Sequence, residues 1–187
     1  TGYVGLVSGL CFAEFGYETA CVDTDQARLK SISECKSPFY EPGLDALLKK
    51  HVYSTKLLTL SSNLADEVKK ADVIFITVGT PSRRLEDEAD LSSIYNVAKE
   101  IAVNISKYSV VVTKSTVPVG TTRKIKEIFL KQISQDQFDV VANPEFLREG
   151  SAINDFMRPD RIVIGVDSKK SERIMKEIYR PLYLLDT

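Results

Sequence analysis

Thr1-Gly2-Tyr3-Val4-Gly5 opens the chain, and Thr19-Ala20-Cys21-Val22-Asp23 follows with an apolar run that ends on an acid. Glycines at this spacing before a helical pattern, with an acid about 20 residues on, match the later part of the Gly-x-Gly-x-x-Gly fingerprint of dinucleotide binding. Gly2 then lets the backbone approach a pyrophosphate, Gly5 lets the helix pack close to its strand, and the helix N-terminus faces the phosphates. Asp23 accepts hydrogen bonds from the adenosine ribose hydroxyls and repels a 2′-phosphate, which favours NAD over NADP. The first glycine of the fingerprint and the first strand would precede Thr1. By itself the segment also reads as a glycine-rich turn before an amphipathic helix.

Outward from this stretch, apolar runs of strand length alternate with helix-period segments. The runs predict strands at Thr19–Val22, Leu57–Leu60, Val73–Val78, Val110–Thr113, Asp139–Ala142 and Arg161–Val166. Helical patterns fall at about Val4–Phe15, Gln26–Ser33, Leu44–Val52, Asn63–Lys70, Leu91–Ile105, Thr121–Ile133 and Lys170–Tyr179, with Asp90 placed to cap the helix after it. Such alternation predicts an α/β fold, a Rossmann-like, doubly wound and mostly parallel sheet with helices on both faces. The run Val73-Ile74-Phe75-Ile76-Thr77-Val78 is apolar almost throughout, as a strand covered on both faces should be. Residues 1–180 are expected to form this domain, and 181–187, from Pro181, to begin a connection out of it.

The 187 residues suit one sizeable domain, and 43% hydrophobic with 27% charged residues is an ordinary globular composition. Lys and Arg total 25 against 26 Asp and Glu, which argues against a nucleic-acid or anionic-membrane partner. No apolar run is long enough for a membrane span. Cys11, Cys21 and Cys35 have spacings that suit neither a zinc site nor a disulfide framework, so no metal is expected and a reducing cytoplasm is the simplest setting. His51, after Lys49-Lys50, is expected at the surface, and Arg83–Asp90 reads as a charged surface loop.

Ligands of an open parallel sheet bind beyond the carboxyl ends of its strands. Gly79-Thr80-Pro81-Ser82, Lys114-Ser115-Thr116-Val117-Pro118-Val119-Gly120 and Asn143-Pro144-Glu145-Phe146-Leu147-Arg148-Glu149-Gly150 all leave such ends. Each is also readable as turn chemistry or solvated charge. Turning alone, however, requires neither two carboxylates nor a Ser-Thr pair, so their joint placement points to a site.

These three loops, with Gly-Tyr-Val-Gly-Leu at 2–6, Tyr40-Glu41-Pro42-Gly43-Leu44 and Pro159-Asp160-Arg161, resemble the UDP-glucose/GDP-mannose dehydrogenase family in order and spacing. The resemblance runs from Thr1 to about Tyr183. It implies a four-electron oxidation of a nucleotide sugar, the 6-hydroxyl becoming a carboxylate at the expense of two NAD through an aldehyde and a cysteine thioester. UDP-glucose is the first candidate substrate; GDP-mannose and UDP-N-acetylmannosamine are alternatives, as is a non-catalytic NAD-sensing module. Carried over by motif, Gly2, Tyr3, Val4, Gly5, Asp23, Arg28, Thr80, Pro81, Ser115, Thr116, Val117 and Glu149 contact NAD. Glu145, Phe146, Leu147, Arg148 and Glu149 contact the sugar nucleotide, and Glu145, Thr116 and Glu149 are the catalytic candidates. A carboxylate such as Glu145 can take a proton from the water that hydrolyses a thioester, and Thr116 can hold that water as donor and acceptor.

The family's nucleophilic cysteine, and the lysine and asparagine that steady its oxyanion, belong to later domains. None of Cys11, Cys21 and Cys35 matches that cysteine's motif. The chain alone is therefore expected to be catalytically silent, and a homo-oligomer is expected through a central domain outside it.

Overall fold

A computed structural model describes residues 1–80 and 90–184. In chain order the elements are α1 (Tyr3–Glu14), β1 (Thr19–Val22), α2 (Gln26–Ser33), α3 (Leu44–Leu48) continued by a π-helical turn (Lys49–Ser54), β2 (Leu58–Ser61), α4 (Leu64–Lys70) and β3 (Val73–Ile76). Then come α5 (Ser92–Asn104), β4 (Ser109–Thr113), α6 (Thr121–Leu130), a 3₁₀ turn (Gln135–Gln137), β5 (Phe138–Ala142), α7 (Ala152–Met157) and α8 (Lys169–Leu184). Every strand pairing is parallel, β1 with β2 in one sheet and β3-β4-β5 in order in another. This is the predicted α/β alternation of strands and helices. The charged segment 83–89, with Pro81 and Ser82, lies outside the described residues.

The chain falls into two compact units. One comprises Thr1–Asn63, Phe146–Ile162 and Lys176–Thr187; the other comprises Leu64–Glu145 and Val163–Met175. In the first, α1 is buried continuously from Leu6 to Ala13. That overturns the amphipathic-helix reading, since a helix apolar all round is a core helix. Phe12 of α1 meets Phe156 of α7 edge to face at 5.2 Å and Tyr179 of α8 at 5.7 Å. In the second unit, β4 is buried at all its positions, as the middle strand of three must be. Ile94, Ala98 and Ile101 of α5 and Ile125 and Phe129 of α6 cover Val111, Phe138 and Val140 on one face of the sheet.

Helix–strand contact in the first unit depends on Gly9. A β-carbon there would stand 2.5 Å from Cys21 Sγ of β1. Gly9→Ala should therefore destabilise the protein by about 1–3 kcal/mol, the usual cost of overpacking. Adding Cys21→Ala, which removes the colliding sulfur, should recover part of that loss in urea unfolding. Strictly additive losses, within about 0.5 kcal/mol, would contradict the clash.

Several expectations are corrected. Arg161–Val166 forms no strand; only Gly165 bridges Ala142, antiparallel, with N–O distances of 2.8 and 2.9 Å. The Val163 carbonyl is taken instead by Asn143 Nδ2 at 2.8 Å, so no ladder propagates. Pro181 does not end the last helix, because α8 continues to Leu184. Proline lacks the amide that would bond the Glu177 carbonyl, and Tyr17 Oη donates to that carbonyl at 2.9 Å.

His51 is not at the surface but buried. Its Nε2 lies 2.7 Å from Glu14 and its Nδ1 3.0 Å from Thr55 Oγ1. Lys50 also reaches Glu14 at 2.6 Å, and together with His51 it holds that carboxyl below its ordinary value against the opposing effect of burial. The N-cap of α5 is Leu91 and not Asp90, which stands one residue earlier and accepts from the Ser92 amide at 2.9 Å. No helix among the described residues is long and apolar enough to cross a membrane.

Candidate functional site

In the first unit, α1 begins at Gly2 with no side-chain cap and no acid in its first turn. The amides that open a helix have no acceptor within it and carry its positive dipole end, a fit for an anionic group. Tyr3, Val4 and Gly5 form that first turn, with the Tyr3 ring edge-on to Phe39 at 5.3 Å. Gly9, one turn after Gly5, is where α1 approaches β1 closely, as the collision distance above identifies.

Asp23 follows the last residue of β1, and its amide extends the β1–β2 pairing to Ser61 O at 3.1 Å. Its Oδ1 accepts from the Asp25 amide at 3.0 Å. Oδ2 accepts from the Thr1 hydroxyl and from Arg28 Nη1 at 3.1 Å, with the Thr1 backbone nitrogen 2.9 Å away. Burial raises the pKa of this carboxyl, but hydrogen bonds from the Thr1 hydroxyl and the Asp25 amide lower it, and the group stands below the usual carboxylate range. Asp23 is thus a fixed anion at a strand end, with acceptor capacity remaining on Oδ1 for a hydroxyl. Arg28 neutralises it from α2, whose cap is Asp25.

In the second unit, register aligns the strand ends, Ile76 with Thr113 and Thr113 with Ala142. Because the three strands are parallel, the loops bearing Thr80, Ser115-Thr116-Val117 and Glu145 leave the same edge of one sheet. Thr80 Oγ1 donates to the Thr116 carbonyl at 3.1 Å, which brings two predicted residues together. Ser115 is buried, its hydroxyl donating to Val78 O at 2.7 Å and so tying the β4 exit to the β3 exit. Thr116 is exposed, Val117 packs against the core and Glu145 is half-buried.

Two residues of this edge received no role from the sequence. Lys114 is only 4% exposed, with Nζ 3.5 Å from Asn143 Oδ1, and Asn143 is 1% exposed. A buried ammonium two residues before Thr116 is a signal that burial pattern alone would have hidden, since lysine is almost never fully buried.

The segment after Glu145 belongs to the first unit. Phe146 is 47% exposed with the Arg161 guanidinium 4.6 Å above its ring. Leu147 is half-buried and Glu149 exposed. Arg148, predicted to contact substrate, is committed to Asp155 of α7 by Nη2 at 2.7 Å and Nε at 3.1 Å. Gly150 takes φ 79, a left-handed conformation that favours glycine, and turns the chain into α7. Cys21 is buried and inert, its thiol pushed up to about 11 by burial, while Cys11 is buried in α1 and Cys35 stands after α2.

Comparison with known proteins agrees with this geometry. Residues 1–183 match the model of the UDP-glucose/GDP-mannose dehydrogenase family, NAD binding domain. A UDP-glucose 6-dehydrogenase of Rhizobium meliloti is 51% identical over 185 residues, covering 98% of this chain and 42% of that protein. A UDP-glucose dehydrogenase structure from Pyrobaculum islandicum superposes with TM-score 0.91 at 33% identity, covering 97% of this chain and 42% of that one. A ternary complex of GDP-mannose dehydrogenase from Pseudomonas aeruginosa gives 0.88 at 38% identity, covering 96% and 42%. The chain thus spans about two fifths of the length of these relatives. An uncapped helix start with a fixed acid ending β1, and a match running from residue 1 to 183, make one conclusion: the chain belongs to the UDP-glucose/GDP-mannose dehydrogenase family and is its NAD-binding domain.

Proposed function

We propose that this domain serves a UDP-glucose 6-dehydrogenase, which oxidises UDP-glucose to UDP-glucuronate in two NAD-dependent steps with a cysteine thioester between them. The observation that carries the reading is the alignment of Ile76, Thr113 and Ala142, which sends Thr80, Thr116 and Glu145 off one sheet edge. An NAD-sensing module needs Gly2 and Asp23 but has no use for a half-buried glutamate beside a threonine loop.

NAD, when bound, supplies the hydride acceptor. Asp23 holds the adenosine ribose, with Arg28 at its side, and the start of α1 faces the pyrophosphate. Thr80, Ser115 and Val117 border the nicotinamide and pyrophosphate, and Glu149 lies between cofactor and sugar. Phe146 and Leu147 contact the sugar nucleotide. Arg148, held by Asp155, acts through the shape of this loop.

In the last step water attacks the thioester carbon, its proton passes to Glu145, and the thiolate of a cysteine outside this chain leaves. Thr116 orients the water or the reacting hydroxyl. Such an enzyme assembles as a homo-oligomer through its central domain.

The GDP-mannose dehydrogenase likeness keeps a second substrate in view. Assay of the full-length protein with UDP-glucose, GDP-mannose and UDP-N-acetylmannosamine separates them, with kcat/KM highest for UDP-glucose on this reading and for another sugar if it is wrong.

A further inference from the structure

Tyr40-Glu41-Pro42-Gly43-Leu44 is a motif to which neither cofactor nor substrate binding assigns a task. Its backbone is a tight turn, with the Leu44 amide donating to the Glu41 carbonyl at 3.2 Å and Gly43 at φ 85. Proline before glycine suits such a turn, because proline fixes its own φ and glycine takes the positive one. Leu44 is fully buried and pins the turn to the core. The turn is thus a stiff mount for one side chain, Glu41, which is only 7% exposed.

Glu41 Oε1 accepts from the amide of Ile153, the second residue of α7, at 3.1 Å. Ser151, at the α7 N-cap, provides no side-chain cap. Glu41 therefore supplies from 112 residues away the bond that a local cap would make. Its Oε2 is buried without a hydrogen-bond partner among the described residues, so the carboxylate is kept where it is costly to keep one.

Helix α7 in turn holds the loop before it. Asp155 accepts from the Arg148 amide at 2.9 Å and from its guanidinium at 2.7 and 3.1 Å. The Ser151 amide bonds the Arg148 carbonyl at 3.0 Å. Tyr40 lies beside the same loop, its Cε1 4.0 Å from where a Gly150 β-carbon would sit. Links run unbroken from Glu41 to Ile153, two residues along the helix to Asp155, then through Arg148 to Phe146, Leu147 and Glu149.

We propose that Glu41 is a positioning residue for the sugar-nucleotide loop, fixing residues 146–149 through α7. The proposal rests on the reading that this loop meets the nucleotide sugar. The test compares Glu41→Ala, Glu41→Gln, Asp155→Ala and Phe146→Ala in the full-length protein, with KM for UDP-glucose and for NAD, kcat and thermal unfolding all measured. Glu41→Ala should raise the UDP-glucose KM about tenfold, the loss expected when a hydrogen bond to a charged group no longer holds the loop. The NAD KM should rise much less, because among residues 146–149 only Glu149 also borders the cofactor, a split that general loss of stability would not give. Gln keeps an oxygen for the Ile153 amide and should return the UDP-glucose KM to near its original value.

If Glu41→Ala does not fold, Asp155→Ala cuts the next link and should show the same sugar-specific rise. A folded variant at either position with unchanged UDP-glucose KM, or with both KM values raised alike, overturns the proposal when Phe146→Ala does raise the UDP-glucose KM. A Gln variant that behaves like Ala also overturns the bond to Ile153 as the link. If Phe146→Ala itself has no effect, the loop does not meet the sugar, and the reading beneath the proposal falls with it.

Discussion

Glu145→Gln in the full-length protein should leave both oxidations near their normal rates and slow product release by roughly 10²–10⁴-fold, the usual loss when a general base is removed. Glutamine keeps the shape and one acceptor oxygen of a side chain that is half-buried after β5, but it cannot take a proton from water. Rapid mixing should therefore show a burst approaching about two NADH per active site, then a slow steady rate. Mass spectrometry of the stalled protein should find a sugar adduct. Near-normal turnover with no adduct would return Glu145 to the role of a loop charge.

Asp23→Asn should weaken NAD by roughly ten- to a hundredfold, because a hydrogen bond to a charged partner is worth about 1.5–3 kcal/mol. It should also narrow the preference for NAD over NADP, since the substitution removes the negative charge that a 2′-phosphate would meet. Arg28 makes the second effect larger, because its guanidinium, now 3.1 Å from Oδ2, would be released toward an incoming phosphate. Titration of both cofactors checks this. An unchanged preference would remove Asp23 from the cofactor site.

The alternation of strands and helices was legible because each apolar run has a distinct period, and β1 to β5 lie within one or two residues of their predicted bounds. Arg161–Val166 carries an apolar run of the same kind yet forms no strand, because pairing depends on a neighbour's hydrogen bonds and Asn143 takes the carbonyl at Val163. Helix α7 was missed since six residues carry too little period to see, and its cap comes from Glu41, far away in sequence. His51 was legible in principle, standing at the i, i+4, i+7 spacing of Leu44 and Leu48. The preceding lysines obscured it, and Glu14, which supplies its hydrogen bond, lies on another helix.

Of the candidate site, the strand-end loops and Asp23 could be read from position alone, because a parallel sheet fixes where its carboxyl ends lie. The division of labour inside a loop could not. Ser115 is turned inward to Val78, a partner distant in sequence, while Thr116 is exposed, and Arg148 points to Asp155 on a helix too short to read from its period. Gly9 was hidden for the same reason, as only the placement of Cys21 Sγ shows why no β-carbon fits.

Counting NADH formed per molecule of UDP-glucose consumed by the full-length protein tests the central claim most directly. Two successive oxidations through a retained thioester predict about two NADH per sugar with no free aldehyde, since covalent capture holds the intermediate between steps. One NADH per sugar would contradict the four-electron reaction, and none with any of the nucleotide sugars would support an NAD-sensing module instead.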